Sequence, residues 1–153
     1  MREVICLAAL MTAAMGIGSR AQAVVIWSAD FSSSGIVNWL AYGTNAGSGN
    51  ATFRLLLTSP ADWTASATPG ANQYVLNGAF ASSAGAITWS EANHNLTTAS
   101  ATCTDTVFAG DQTGAGVPAG ADRSLWLQFK APTSVSSETP HTITVTVTAV
   151  AAP

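Results

Sequence analysis

Cysteine is nearly missing from this chain of 153 residues, which holds two. Cys6 falls in an apolar N-terminal stretch, so the rest of the chain keeps Cys103 alone. A single thiol cannot close an internal disulfide, and the fold must be held by its core. Cys103 alternates with polar residues in ATCTDTVF (101–108). There it reads as a small buried apolar residue, against the alternatives of a reactive thiol or an intermolecular bridge. Charge is scarce as well, at 8% of residues. Beyond residue 23, Arg54, Arg123 and Lys130 face Asp30, Asp62, Glu91, Asp105, Asp111, Asp122 and Glu138, for a net −4. That surface lacks the cationic density that gathers phosphate backbones, which argues against nucleic acid as a partner. Helical periodicity fails throughout the same region, and no second apolar run there approaches the roughly 20 residues of a membrane-spanning helix.

The apolar run that does exist is Val4 to Gly18, preceded by Arg2 and followed by Ala21-Gln22-Ala23. A short apolar stretch ending in a small-x-small triplet has the form of a secretion signal cleaved after Ala23. At about 15 residues it is too short for a membrane anchor. Cys6 stands too early to be an acylated lipoprotein cysteine, which would follow the run. The expected organisation is a signal peptide over 1–23 and one domain over 24–153, long enough to bury about two-thirds of its unfolded surface in one core. The expected location is secreted: extracellular, at the cell surface or periplasmic.

Short strand signals separated by turn residues fill the mature region. VVIWS (24–28), IVNWLAY (36–42) and ATFRLLLT (51–58) come first, the last with Phe53, Leu55 and Leu57 on one side and Arg54 and Leu56 on the other. Ser59-Pro60 stops it, because proline cannot donate to a ladder. QYVLNGAFA (73–81) follows, with Gly78 a candidate bulge, then AITW (86–89), ATCTDTVF (101–108) and SLWLQFK (124–130). SEANHNL either opens one helical turn capped by Ser90 or simply crosses between sheets. The closing TITVTVTAV (142–150) sets Thr142, Thr144, Thr146 and Thr148 against Ile143, Val145, Val147 and Ala149. Burying Ile143, Val145 and Val147 contributes roughly 5–8 kcal/mol of gross apolar transfer, so this strand cannot be left unpaired. No internal repeat or linker is visible. Seven or eight short strands in an all-β chain of this length predict a two-sheet sandwich of antiparallel strands.

Between NAGSGNATFRLLL and the last strand, the order of elements is also a pattern: Trp63, then Pro69-Gly70 with Tyr74 to Leu76, then Val117-Pro118 through Leu125-Trp126 to Pro132. In this the chain, from Thr44 to Ala149, resembles exported bacterial Ig-like β-sandwich domains. The opening VVIWSADFSSSGIVNW departs from the usual first strands of such domains. The resemblance implies an Ig-like module of the cell envelope or the extracellular space, with the alternating Thr/Val strand as its own last strand. It carries no catalytic residues to transfer, and a fold does not specify a function.

Nothing in the chain carries enzyme chemistry. No G-x-S-x-G elbow frames a serine beside His94 or His141. Glu91 and His94 could face one metal if helical, but two side chains do not make a zinc site. His141 reads as a loop residue. Asp105, Asp111 and Asp122 flank the Gly-rich segment 110–122 without the spaced ligand pattern of a calcium loop. No catalytic, cofactor-binding or metal residue is therefore assigned, and no cofactor. Asn50-Ala51-Thr52 and Asn95-Leu96-Thr97 match the glycosylation sequon, a pattern common by chance in a threonine-rich chain. Of the tryptophans, Trp27, Trp39 and Trp126 are expected in the core, while Trp63 and Trp89, near loops, could instead stack on sugar rings. The expectation is a non-catalytic structural or interaction protein, with carbohydrate binding as the alternative. Self-association could run through edge strands at 24–28 or 142–150.

Overall fold

A computed structural model of the chain describes residues 22–30, 36–44, 49–137 and 141–152. The expected signal peptide, apart from its last two residues, lies outside them. The described chain is all-β. Six strands of eight to ten residues carry it: β1 (Gln22–Asp30), β2 (Ile36–Thr44), β3 (Ala51–Thr58), β5 (Gln73–Phe80), β7 (Asp122–Lys130) and β8 (Thr142–Ala151). Two-residue strands β4 (Thr64–Ala65) and β6 (Ala101–Thr102) and a single helical turn α1 (Glu91–His94) complete it. The strands form two sheets, in the orders β1-β8-β3-β6 and β2-β7-β5-β4. Every pairing is antiparallel except β4 with β5, which departs from an all-antiparallel expectation.

Alternation decides which side of each sheet faces the core. In β3 the odd residues Phe53, Leu55 and Leu57 are buried while Arg54 and Thr58 are exposed. In β8, Ile143, Val145 and Val147 are buried, and the threonines occupy the other face. From the second sheet come Tyr74, Leu76 and Phe80 of β5 with Leu125, Leu127 and Phe129 of β7. All of these belong to one apolar cluster. Phe53 and Phe80, whose ring centroids lie 5.6 Å apart, meet across the two sheets. Cys103 is part of this interior, as its alternation predicts, and is 1% exposed.

β5 does not alternate: seven of its eight residues are buried. Its second face is covered by the segment 84–96, where Ile87 and Trp89 pack on Ala79, Ala81 and Trp126. This explains why AITW is no strand. It serves as a cover, entered through a single 3-10 turn at Ala84–Ala86. Gly78 makes no bulge, for the register from Asn77↔Gln128 to Ala79↔Trp126 runs unbroken. A Cβ at Gly78 would lie 3.2 Å from Leu96 Cδ1, so the glycine lets Leu96 close on the strand. The register shift falls instead in β1, between Val25 and Trp27.

ATCTDTVF also departs from expectation, pairing only at Ala101–Thr102. Thr104 turns the chain: its Oγ1 accepts the N–H of Val107 at 2.9 Å, and its own N–H donates to the Val107 carbonyl at 3.2 Å. Threonine hydroxyls compete with ladder bonds in this way. Phe108 then adopts φ +58, unusual for a bulky side chain, with its ring buried and its carbonyl accepting the Phe80 N–H at 2.9 Å.

The closing strand is not an edge, contrary to one of the two edges expected from the sequence. β8 lies between β1 and β3, paired along its length with both. Its apolar face fills the interior, and neither side of its backbone is spare.

Candidate functional site

Two side-chain clusters and two strand edges are the features with functional content. The first cluster lies on the covered face of the β5–β7 pair. Asn77 stands opposite Gln128, two residues from Lys130. Ser90 precedes α1 in extended conformation, as the helical-turn reading has it, but its side chain caps nothing. Its N–H instead donates to His94 Nδ1 at 3.0 Å, so His94 carries its proton on Nε2 and donates to the Ala109 carbonyl at 3.0 Å. That anchor sets Glu91 over the sheet, in direct contact with Lys130 Nζ. The Lys130 ammonium, more than any other group, holds the Glu91 carboxyl below the usual carboxylate range, and a hydrogen bond from Asn77 adds to the effect. Asn77 is fully buried; its Nδ2 lies 3.4 Å from Gln128 Oε1 and its Oδ1 has no hydrogen-bond partner among the described residues.

The second cluster joins Trp63 and His141. His141 does stand in the loop, one residue before β8, yet it is 5% exposed and stacks on Trp63 at a centroid distance of 4.4 Å. Trp63 also stacks on Phe129 and lies against Tyr74. Asp62 Oδ2 stands 3.9 Å from His141 Nε2, beyond hydrogen-bond reach. Tyr74 OH pairs with Ser59 Oγ at 2.7 Å, and burial pushes its phenol up.

These positions sort the candidate residues. Trp63, left open for sugar stacking, is core. Trp126, expected inside, is half-buried on the opposite face of its sheet, its Nε1 donating to the Ala81 carbonyl at 3.1 Å. Trp89 is half-buried beside it, edge-on to His94. Trp27 and Trp39 stand opposite Val145 and Leu127 in their ladders; their assignment to the core lies outside the described side chains. Glu91 and His94 turn to different partners. Asp111 Oδ1 accepts the Ser82 N–H at 2.7 Å and Oδ2 its hydroxyl, which lowers the Asp111 carboxyl. With Asp105 and Asp122 it forms no metal-binding group among the described residues. Asn50 is exposed and Asn95 half-buried, bridged to Asn77.

The strand edges differ between the two ends of each sheet. The free side of β3 is occupied by the chain between β5 and β7. Ala51 and Val117 exchange bonds of 2.9 and 2.7 Å, Phe53 donates to Gly114 at 2.8 Å, Cys103 donates to Phe53 at 2.8 Å, and Leu57 donates to Thr97 at 3.1 Å. The same excursion covers β5, through Leu96 to Leu76 at 2.8 Å and Gly110 to Phe80 at 2.9 Å, beside β4. At the opposite ends stand β1 and β2, and among the described residues no strand pairs with their outer sides.

No helix among the described residues is long and apolar enough to cross a membrane. Comparison with protein families, with curated proteins and with solved structures finds no match.

Proposed function

We propose that this chain is a secreted, non-catalytic structural or interaction subunit of the cell envelope or of an extracellular assembly. It loses residues 1–23 on export and associates with further copies by exchange of its first strand. In this reading its two sheets are an Ig-like sandwich of seven to eight strands. The reading rests on one observation above the rest: each sheet has one edge covered by its own loops and one edge made by an N-terminal strand.

Edge strands are usually blunted by charge, proline or brevity. β1 and β2 are each nine residues long and contain no proline; β2 carries no charge and β1 only Asp30 at its end. β1 is joined to the protein by its ladder to β8, from Gln22↔Ala149 to Asp30↔Thr142. Cleavage after Ala23 would leave Val24–Asp30 to pair. The same ladder forms whether that strand belongs to the same chain or to a neighbour, so exchange conserves the bonds and links successive copies.

Negative-stain microscopy of the purified mature protein tests this. Regular polymers are expected, shortened by an excess of a synthetic peptide of residues 24–30. Single particles of one subunit's size at every concentration would overturn the reading.

Carbohydrate binding is the second reading, favoured by Trp89 and Trp126, which are half-buried on one patch. Tryptophan fluorescence unmoved by added polysaccharides would remove it.

A further inference from the structure

Lys130 is the one lysine in the whole sequence. Its Nζ touches Glu91, and the same carboxylate accepts a hydrogen bond from the carboxamide of Asn77. One carboxylate thus holds an amine and an amide together. The register allows their approach: Lys130 pairs with Val75 and Gln128 with Asn77, so Lys130 and Asn77 are diagonal neighbours on one face of the β5–β7 ladder. Diagonal positions lie about 7–8 Å apart, within the combined reach of a lysine and an asparagine side chain.

Each group is prepared for more than an ion pair. Asn77 is buried among the apolar residues of β5, and its Oδ1 has no hydrogen-bond partner among the described residues. A buried polar oxygen left in this way is costly, so it calls for a reason. Glu91 bonds both Asn77 and Lys130, whereas His94, on the same turn, is committed to Ser90 and Ala109.

We propose that Lys130 and Asn77 join spontaneously in an intramolecular amide, with Glu91 as the proton carrier. Glu91 takes a proton from the Lys130 ammonium, which frees the lone pair on Nζ. Nζ attacks Asn77 Cγ; the Nζ–Cγ bond forms and the carbonyl electron pair moves onto Oδ1. Glu91 passes a proton to Nδ2. The Oδ1 pair re-forms the carbonyl, the Cγ–Nδ2 bond breaks and ammonia departs, taking up the proton that Nζ sheds. An ammonium side chain and a carboxamide become a secondary amide and an ammonium ion, with Glu91 restored as carboxylate and no oxidant required. Glu91 is 36% exposed, which leaves a path for ammonia. The product staples β5 to β7 in a chain whose single mature cysteine cannot.

Peptide mass analysis of the purified, denatured wild-type protein reads this directly. Trypsin cuts after Arg54 and Arg123 but is expected to spare Lys130, giving 55–123 joined to 124–153 with a mass about 17 Da below their sum, the loss of one ammonia. Fragment ions are expected to place the bond at Asn77. Reading peptides rather than the intact chain assigns the ammonia loss to these two segments. Glu91→Gln is expected to leave the two peptides separate. Free 124–130 from the wild type, with Lys130 open to amine reagents, would overturn the proposal. A loss of about 18 Da, one water, would mean a Lys130–Glu91 amide instead and would overturn it equally. Wild-type linkage that persists in Glu91→Gln would remove the carboxylate from the reaction.

Discussion

Cys103 is packed behind Gly114 on the inner side of the excursion that covers β3. Burial pushes its thiol up to about 12, so almost none of it is thiolate near neutrality. Iodoacetamide at pH 8 is expected to label it only when the protein is unfolded; rapid labelling of the native protein would contradict its burial. Gly114 is fixed by the same packing. A Cβ there would stand 2.7 Å from Phe80 Cε2 and 2.9 Å from Cys103 Sγ. Gly114→Ala is therefore expected to destabilise the fold by about 1–3 kcal/mol, the range of overpacked cores, read as a fall in the denaturant midpoint. An unchanged midpoint would show that the interior yields there. Cys103's burial was legible in the sequence, because alternation with polar neighbours marks an inward position. The role of Gly114 was not, since a glycine between Thr113 and Ala115 carries no sign of the ring and thiol that meet it. Lys130, Glu91 and Asn77 were missed for a related reason: 39 and 14 residues separate neighbours in that set, as their numbers show. The one visible signal was an asparagine inside the apolar run of QYVLNGAF.

At the scale of elements, β3 and β8 were readable because one face of each is buried and the other is not, which writes a period of two into the sequence. β5 hid its orientation because residues 84–96 cover its second face. The segment 101–108 imitated a strand through its alternating threonines, although the Thr104 hydroxyl turns it and Phe108 leaves it in a left-handed conformation. The covering of the β3 and β5 edges is made through backbone bonds, which no side-chain pattern records. One side chain does help hold that cover: Asp111 ties the loop at Gly110 and Gln112, both bonded to the Phe80 carbonyl, to Ser82. Its carboxyl is lowered below the ordinary 3.8 by the two Ser82 bonds. A carboxyl depressed on folding stabilises the native state above its unfolded value, and that contribution fades as pH falls through the folded value. The stability gap between wild type and Asp111→Asn is thus expected at neutral pH and to shrink below pH 3.8. Denaturant midpoints across acid pH check this, and a gap that stays constant would assign no role to the charge.

At the scale of the whole molecule, the covered strand edges and those with no partner among the described residues divide by position in the chain. The excursion between β5 and β7 covers one side of each sheet, while the first two strands, joined by five residues, form the other side of each. The sequence pointed to self-association at 24–28, which lies in edge strand β1, and also at 142–150, which lies inside a sheet. Strength of alternation does not distinguish these. It reports burial of a face, whereas an edge is a property of backbone pairing. Sedimentation velocity of a chain of residues 24–153, run over a wide concentration range beside the same chain lacking residues 24–35, tests the central claim most directly. The account requires oligomers that grow with concentration and an all-β shorter chain that has lost that regular series. A single monomer boundary for residues 24–153 at every concentration, or the same oligomer series without residues 24–35, would contradict it.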